Sequence, residues 1–139
     1  ESRNIYALEK EMKNTIRKIA SSWYDANGKL KLPRLYDSNF DNLDIKKHKG
    51  KSLVIFSADW CPYCLSFFNN WKEYGSIESV FIADITDVDS NLWDIFDVNV
   101  VPTMAIFKEG KLEKRWDGLL GQGITINQIE DANSYFSEL

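Results

Sequence analysis

The two cysteines of this 139-residue chain form one C-x-x-C motif, Cys61-Pro62-Tyr63-Cys64, directly after an apolar run. Residues 52–57 are almost continuously apolar, which is typical of a short strand buried on both faces. The apolar residues of the segment 65–74 recur at helical spacing. A buried strand is therefore expected to enter a helix at the motif. Cys61 would be the N-cap and Pro62 the first helical residue, where a missing N–H costs nothing.

This position suits thiol–disulfide exchange, which requires an accessible and stabilised thiolate. The free N–H groups of Tyr63 and Cys64 are expected to point back at the Cys61 sulfur, and the positive helix end favours its anionic form. Cys64 lies one turn further along the helix and is expected to be more buried. The motif therefore predicts that an exposed Cys61 attacks a substrate disulfide and that Cys64 resolves the mixed disulfide.

Other uses of a cysteine pair fit this sequence poorly. A bridge closing so short a loop stabilises a fold weakly, and a disulfide framework would need more cysteines. Zinc needs two further ligands, but the chain has no third cysteine and one histidine, His48. Haem attachment needs a histidine after the second cysteine, where Leu65 stands. We therefore expect no metal and no cofactor other than the redox-active disulfide itself.

The remainder of the second half alternates strands and helices. Buried strands are predicted over residues 80–83 and 103–107, with a short helix over 90–96 between them. A hairpin turn at residues 108–111 leads to a return strand, and a last helix follows with Thr125 as its N-cap. The inner face of that helix is predicted to consist of Ile126, Ile129, Ala132 and Phe136. This order predicts an α/β domain whose central mixed sheet is flanked by helices.

The N-terminal part has a different pattern. Between residues 5 and 23 the apolar residues follow steps of 3 and 4, which predicts an amphipathic helix ended by Asn27-Gly28. Residues 30–43 are mixed and are interpreted as loop and short elements. We therefore expect a helical extension over residues 1–39, packed on a domain over residues 40–139.

Charge and hydropathy limit the partners. Residues 1–51 carry 12 Lys or Arg and 7 Asp or Glu, whereas residues 52–139 carry 5 and 14. The net charge of the whole chain is −4, which disfavours nucleic-acid binding. No apolar run is long enough to span a membrane. The chain begins at Glu1, so the absence of a signal peptide does not decide between a cytoplasmic and a periplasmic or other extracytoplasmic location. We expect a monomer.

Several segments together resemble the thioredoxin family. Residues 54–61, with Trp60 before the first cysteine, are similar to its strand leading into the active site. The tripeptide Val101-Pro102-Thr103 is similar to its cis-proline loop, residues 108–110 to its hairpin turn, and Gly118 to the glycine after its last strand. The resemblance covers about residues 40–139. Residues 54–57 and the Cys61–Cys64 tetrapeptide are also similar to glutaredoxin.

The resemblance implies a thioredoxin fold and a cis Val101–Pro102 bond packed against the two sulfurs. It implies an active-site environment made of Trp60, Pro62, Tyr63 and Pro102. It further implies that protein disulfide or dithiol substrates contact Trp60, Val101, Pro102 and Gly118, and that a reductase or another thiol donor supplies electrons.

Two departures from the family pattern have consequences. Thioredoxins have a buried aspartate and a lysine partner on neighbouring strands, and the corresponding residues here are Ile55 and Ile82. Without that carboxylate, we expect a less negative reduction potential. Glutaredoxins carry a lysine near the position of Ala58, so glutathione dependence is the weaker alternative.

The leading functional hypothesis is a protein disulfide reductase. An extracytoplasmic oxidant, isomerase or maturation protein is the second hypothesis within the enzyme class. A redox-sensing adaptor domain without turnover is the alternative from another class.

Overall fold

The computed structural model describes residues 31–139, and the predicted helix over residues 5–23 lies outside them. Within the described range seven strands and three helices follow one another, apart from a single 3-10 turn at Asp37–Asn39. The strands are β1 (Arg34–Leu35), β2 (Phe40–Asp41), β3 (Asp44–Ile45), β4 (Lys51–Ser57), β5 (Val80–Asp84), β6 (Thr103–Lys108) and β7 (Lys111–Trp116). The helices are α1 (Pro62–Tyr74), α2 (Leu92–Ile95) and α3 (Ile126–Glu138).

Five of these strands form the central mixed sheet, in the order β1-β5-β4-β6-β7. The central strand β4 is parallel to β5 and antiparallel to β6. It is buried along nearly its whole length, because side chains cover the sheet on both faces. The predicted α/β class, the mixed sheet and the hairpin are therefore confirmed, and the end of β4 lies at the centre of the sheet, where α1 begins.

Alternate residues of β4 pack into two separate cores. Leu53 and Ile55 belong to a core on the face covered by α1 and α3, together with Phe67 and Trp71. Val54 and Phe56 face the opposite core, to which Phe96 and both cysteines belong. Because successive side chains of a strand point to opposite faces, one short strand supports both cores and fixes the position of its own C-terminal end.

The edge strand β1 was predicted only as one of several short elements. Arg34 is paired with Ile82 and Leu35 with Ala83, in parallel with β5. The predicted domain boundary between residues 39 and 40 lies after this strand, so part of the sheet comes from the N-terminal side of that boundary. A strand of two residues is too short to show a period of its own.

The last helix begins at the predicted residue. The Thr125 side chain accepts a hydrogen bond from the backbone N–H of Gln128, and the Gln128 side chain accepts one from the N–H of Thr125. Ile129 and Ala132 are fully buried, but Ile126 is 37% exposed. The prediction for Ile126 was therefore wrong, because the first turn of α3 extends beyond the core that covers its middle.

Candidate active site

The two cysteines occupy the strand-to-helix junction, as predicted. Cys61 is the N-cap of α1 with an extended backbone, and Pro62 is the first helical residue. Cys64 lies one turn into α1 and is buried. Both cysteines have free thiols, so this is the reduced form of the site.

The environment of Cys61 stabilises its thiolate. A hydrogen bond from the Cys64 thiol is the largest influence and outweighs burial, which acts in the opposite direction. The backbone N–H groups of Cys64 and Tyr63 add to the effect, and together these groups lower the pKa of Cys61 to about 7. Neither N–H makes a full capping hydrogen bond to the sulfur, so they act as nearby dipoles at the positive end of the helix.

Cys64 has the opposite character. Burial is the main reason why its pKa lies far above the ordinary value for a thiol, and the hydrogen bond to Cys61 and the charge of Cys61 raise it further. The Ser57 hydroxyl and the backbone of Ala58 bond to Cys64 and lower its pKa only in part. Cys64 therefore stays protonated while Cys61 carries the charge.

The expected exposure of Cys61 was wrong. Its exposed fraction is 5%, hardly more than the 3% of Cys64. The Cys61 thiol donates a hydrogen bond to the carbonyl of Val101 at 3.4 Å, and the loop that contains Val101 lies across the sulfur. Although little of either residue is exposed, burial dominates only at Cys64, whereas at Cys61 the hydrogen bond from Cys64 outweighs it.

The loop across the sulfur has the predicted backbone form, since the Val101–Pro102 peptide bond is cis. Gly118 packs against this loop so closely that a Cβ atom at residue 118 would lie 2.3 Å from the Pro102 carbonyl oxygen. Gly123 completes the same region, because its Cβ would lie 3.1 Å from the Cβ of Tyr63. Gly118 is buried, so it contributes a close approach of two backbones rather than an exposed surface.

Trp60 is held beside the motif by hydrogen bonds that the sequence did not reveal. Its indole N–H donates to the carbonyl of Thr86 at 2.9 Å, yet 54% of its surface is exposed. The Thr86 hydroxyl accepts the backbone N–H of Asp59 at 2.9 Å and donates to the Asp84 carboxylate at 2.6 Å. The segment before Cys61 is thus attached to the end of β5.

A guanidinium completes this network. Arg34 contacts Asp84 at 2.8 Å and Asp59 at 3.4 Å. The sequence contains no cation between residues 52 and 71, so the helix end and hydrogen bonds were expected to supply most of the thiolate stabilisation. The structure places Arg34 of the edge strand beside the carboxylate of Asp59, whose charge would otherwise oppose a thiolate two residues later.

Comparison with known proteins identifies this arrangement. The model of the Thioredoxin family matches residues 31–130. The chain belongs to the thioredoxin family. A C-x-x-C dithiol at the start of a helix, with one low-pKa sulfur, gives this thioredoxin-family chain the chemistry of a thiol–disulfide oxidoreductase.

Individual relatives are similar over the same part of the chain. The chain is 31% identical over 98 residues to chloroplastic thioredoxin Y of Oryza sativa, across 68% of this chain and 58% of that protein. It is 32% identical over 85 residues to a probable protein disulfide-isomerase A4 of Caenorhabditis elegans, across 60% of this chain and 13% of that protein. The chain thus matches only part of these curated relatives. The crystal structure of Schistosoma mansoni thioredoxin superposes with a TM-score of 0.54 at 25% identity, covering 76% of this chain and 95% of that one.

The departure from the usual thioredoxin-family site is visible in the sheet. Ile55 and Ile82 are register partners on β4 and β5, and both are buried in the core that includes Phe68 of α1. Apolar packing therefore fills the place expected for an aspartate and a lysine. The hydroxyl of Ser57 is the polar side chain that bonds to Cys64 instead.

Within residues 31–139 no cluster of His, Cys, Asp and Glu side chains is arranged to hold a metal ion. None of the helices in that range has the length and apolar character needed to cross a membrane.

Proposed function

We propose that this thioredoxin-family chain reduces disulfide bonds in protein substrates. The Cys61 thiolate attacks one sulfur of the substrate disulfide, so that a mixed disulfide forms and a substrate thiolate leaves and takes up a proton. Cys64 then loses its proton and attacks the Cys61 sulfur, which releases the second substrate thiol. Two electrons pass to the substrate, and the chain is left with a Cys61–Cys64 disulfide.

The observation that carries this proposal is the contrast between the two thiols. A pKa of about 7 leaves a large fraction of Cys61 ionised near neutral pH, without making the thiolate so stable that it becomes a poor nucleophile. The raised pKa of Cys64 keeps that thiol protonated until Cys61 enters a mixed disulfide. The hydrogen bond from Cys64 to Cys61 then disappears, and Cys64 becomes the sulfur that resolves.

The groups around the motif support binding of an extended substrate segment. In the described part of the chain the backbone N–H of Val101 has no hydrogen-bond partner, so a substrate carbonyl can accept from it as in strand addition. We assign substrate contact to Trp60, Val101 and Pro102, and a supporting position to Gly118. Pro62 and Tyr63 shape the start of α1 beside the reacting sulfur.

Turnover needs an electron source. The oxidised chain must be returned to the dithiol by a reductase or another thiol donor, and no cofactor is required for either half-reaction. We further propose that the chain acts as a monomer, because the proposed reaction needs only Cys61 and Cys64 of one chain.

The proposal is tested by trapping the intermediate. The Cys64→Ser variant, mixed with a protein substrate that contains a disulfide, should accumulate a mixed disulfide through Cys61. The Cys61→Ser variant is the matched control and should accumulate none, while the unmodified chain with dithiothreitol should reduce the substrate repeatedly. Absence of both turnover and trapping would instead support the redox-sensing adaptor, and trapping in the Cys61→Ser variant would reverse the two assignments.

One observation favours a second candidate within the same chemistry. Ile55 and Ile82 stand where the family has a buried aspartate and its lysine partner, and no carboxylate is among the groups that shift the pKa of Cys64, so the reduced form is easier to stabilise. A more stable reduced form makes the Cys61–Cys64 disulfide a stronger oxidant. An oxidant or isomerase is therefore the alternative, and the reduction potential separates it from a reductase.

A further inference from the structure

Two tryptophans form one side of the candidate active site. The planes of Trp60 and Trp93 are inclined by 8°, and their ring centroids are 6.3 Å apart. Both indole N–H groups donate into the same loop, that of Trp60 to the Thr86 carbonyl at 2.9 Å and that of Trp93 to the Asp87 carbonyl at 3.2 Å. The polar edge of each ring is thus already occupied, and the exposed remainder of Trp60 is aromatic surface.

The charged residues of the segment to which these rings are hydrogen-bonded are all acidic. Residues 84–102 contain five aspartates and no lysine, arginine or histidine. Asp84 is paired with Arg34, and the Asp97 carbonyl accepts from Arg115, so these two residues lie next to cations. The remaining three, Asp87, Asp89 and Asp94, are exposed.

Those three carboxylates have no cationic partner in the described part of the chain. None of the ion pairs formed within residues 31–139 includes Asp87, Asp89 or Asp94. Asp87 accepts the backbone N–H of Asp89 at 2.9 Å, which keeps its turn ordered. Between them Val88 is 71% exposed, so the acidic turn also presents apolar surface.

We infer that this surface, formed by Trp60, Val88, Trp93, Asp87, Asp89 and Asp94, binds a lysine- or arginine-bearing segment next to the disulfide of a protein substrate. The inference rests on the proposed function and names its substrate class. Unpaired carboxylates attract a cationic segment as it approaches, and charge complementarity acts chiefly on the association rate. A guanidinium or ammonium group can then lie over an indole ring whose N–H points away from it.

Because this surface adjoins the sulfurs, the preference for lysine or arginine should apply to residues close to the substrate disulfide. Trp60 directly precedes Cys61, and Trp93 stacks on Trp60, so a side chain bound over the rings belongs to a residue close to the substrate cysteine. The Arg34 guanidinium contacts both Asp84 and Asp59 and forms no ion pair with the three carboxylates. Substrates with acidic residues beside the disulfide should be disfavoured for the same reason.

The test compares three disulfide-containing peptides that differ only in the residues flanking one cysteine, which are lysine, glutamine or glutamate. The full chain is reduced beforehand, and the second-order rate constant of a single oxidation is measured. At low salt the lysine peptide should react about tenfold faster than the glutamine peptide, and the glutamate peptide should be slowest. In about 1 M salt the three rates should converge.

Variants separate this surface from the net charge of the chain. The triple variant Asp87→Asn, Asp89→Asn, Asp94→Asn should lose most of the lysine preference, and asparagine at residue 87 retains an oxygen that can accept the N–H of residue 89. The control variant Glu78→Gln, Glu113→Gln, Glu130→Gln removes the same charge from exposed residues elsewhere and should keep the preference. Trp93→Leu should slow the lysine peptide by about threefold more than it slows the glutamine peptide.

Each outcome has one meaning. Reduction of all three peptides at equal rates would overturn the inference and leave the proposed function intact. Equal loss of preference in both triple variants would also overturn it, because the effect would then come from net charge. Failure to react with any peptide, together with no trapping by the Cys64→Ser variant, would contradict the proposed function itself.

Discussion

The Arg34 guanidinium lies 2.8 Å from the Asp84 carboxylate and joins the edge strand to the loop that holds Trp60. Asp84 in turn bonds to both the hydroxyl and the backbone N–H of Thr86, at 2.6 and 3.0 Å. These contacts connect residues 50 positions apart in sequence. A change at the sheet edge should therefore alter the environment of the redox centre.

The pH dependence of stability should reveal this ion pair. Although burial opposes ionisation, the bonds from Thr86 and Arg34 hold the pKa of Asp84 below its ordinary value. A carboxylate with a lowered pKa in the folded state stabilises the fold above its unfolded pKa, and that stabilisation is lost as the pH falls through the folded value. We expect the free energy of unfolding to decrease below about pH 4 and the Asp84→Asn variant to show a smaller decrease.

The measurement is urea unfolding between pH 2 and 7. The Asp89→Asn variant is the control, because Asp89 is exposed and has no ion-pair partner among the described residues, so its pH dependence should resemble that of the unmodified chain. The pH dependence of Asp84→Asn should differ from both. Identical curves for all three proteins would contradict the assigned role of Asp84.

Cys61 should titrate near neutral pH. The hydrogen bond from Cys64 and the N–H groups of Cys64 and Tyr63 lower its pKa to about 7, so the rate of alkylation should rise with pH and level off above that value. In the Cys64→Ala variant the midpoint should move upward, because the largest stabilising contact is gone. Rapid alkylation with iodoacetamide followed by mass spectrometry measures both profiles, and an unchanged midpoint would exclude the thiol–thiol hydrogen bond as the cause.

Ser57 should control resolution of the mixed disulfide. Its hydroxyl bonds to Cys64 and lowers the pKa of that thiol, so Ser57→Ala should raise the pKa and slow the attack of Cys64 on the mixed disulfide. One lost hydrogen bond of about 0.5–1.5 kcal/mol corresponds to a slowing of roughly two- to tenfold. Stopped-flow kinetics resolve the two steps, and the rate of the first attack by Cys61 should change little. A slower first step with normal resolution would contradict this role.

The reduction potential should be less negative than the value of about −270 mV for thioredoxin. The pKa of about 7 for Cys61 is close to that of thioredoxin's own reactive cysteine, so the expected difference rests on Ile55, which stands where the family has a buried carboxylate. Equilibration with a glutathione redox buffer, followed by alkylation of the remaining thiols, measures the potential. A value at or below −270 mV would favour a plain reductase and count against the oxidant or isomerase.

Much of the fold and the centre of the site could be predicted because the determining signals are local. A continuous apolar run, the Pro62 position and the Thr125–Gln128 capping box each act over a few residues, and β4, α1 and α3 were identified from them. The cis Val101–Pro102 bond was anticipated from family resemblance, since X–Pro bonds are usually trans.

The groups that sequence analysis missed all depend on tertiary contacts. Arg34 reaches Asp59 across 25 positions, and Thr86 reaches Asp59 across 27. No motif marks such pairs, because the sheet brings them together only after β1 and β5 have paired. The burial of Cys61 was missed for the same reason, because the carbonyl that contacts its sulfur belongs to Val101, 40 positions away in sequence.

The parallel arrangement of Trp60 and Trp93 also has a spectroscopic consequence. Two indoles with nearly parallel planes and centroids 6.3 Å apart couple through their transition dipoles, and this coupling depends steeply on distance and angle. Because Trp60 adjoins the reacting sulfur, oxidation or substrate binding that displaces its ring should change the circular dichroism of the pair. The circular dichroism of the Trp60–Trp93 pair should therefore report on reactions at Cys61.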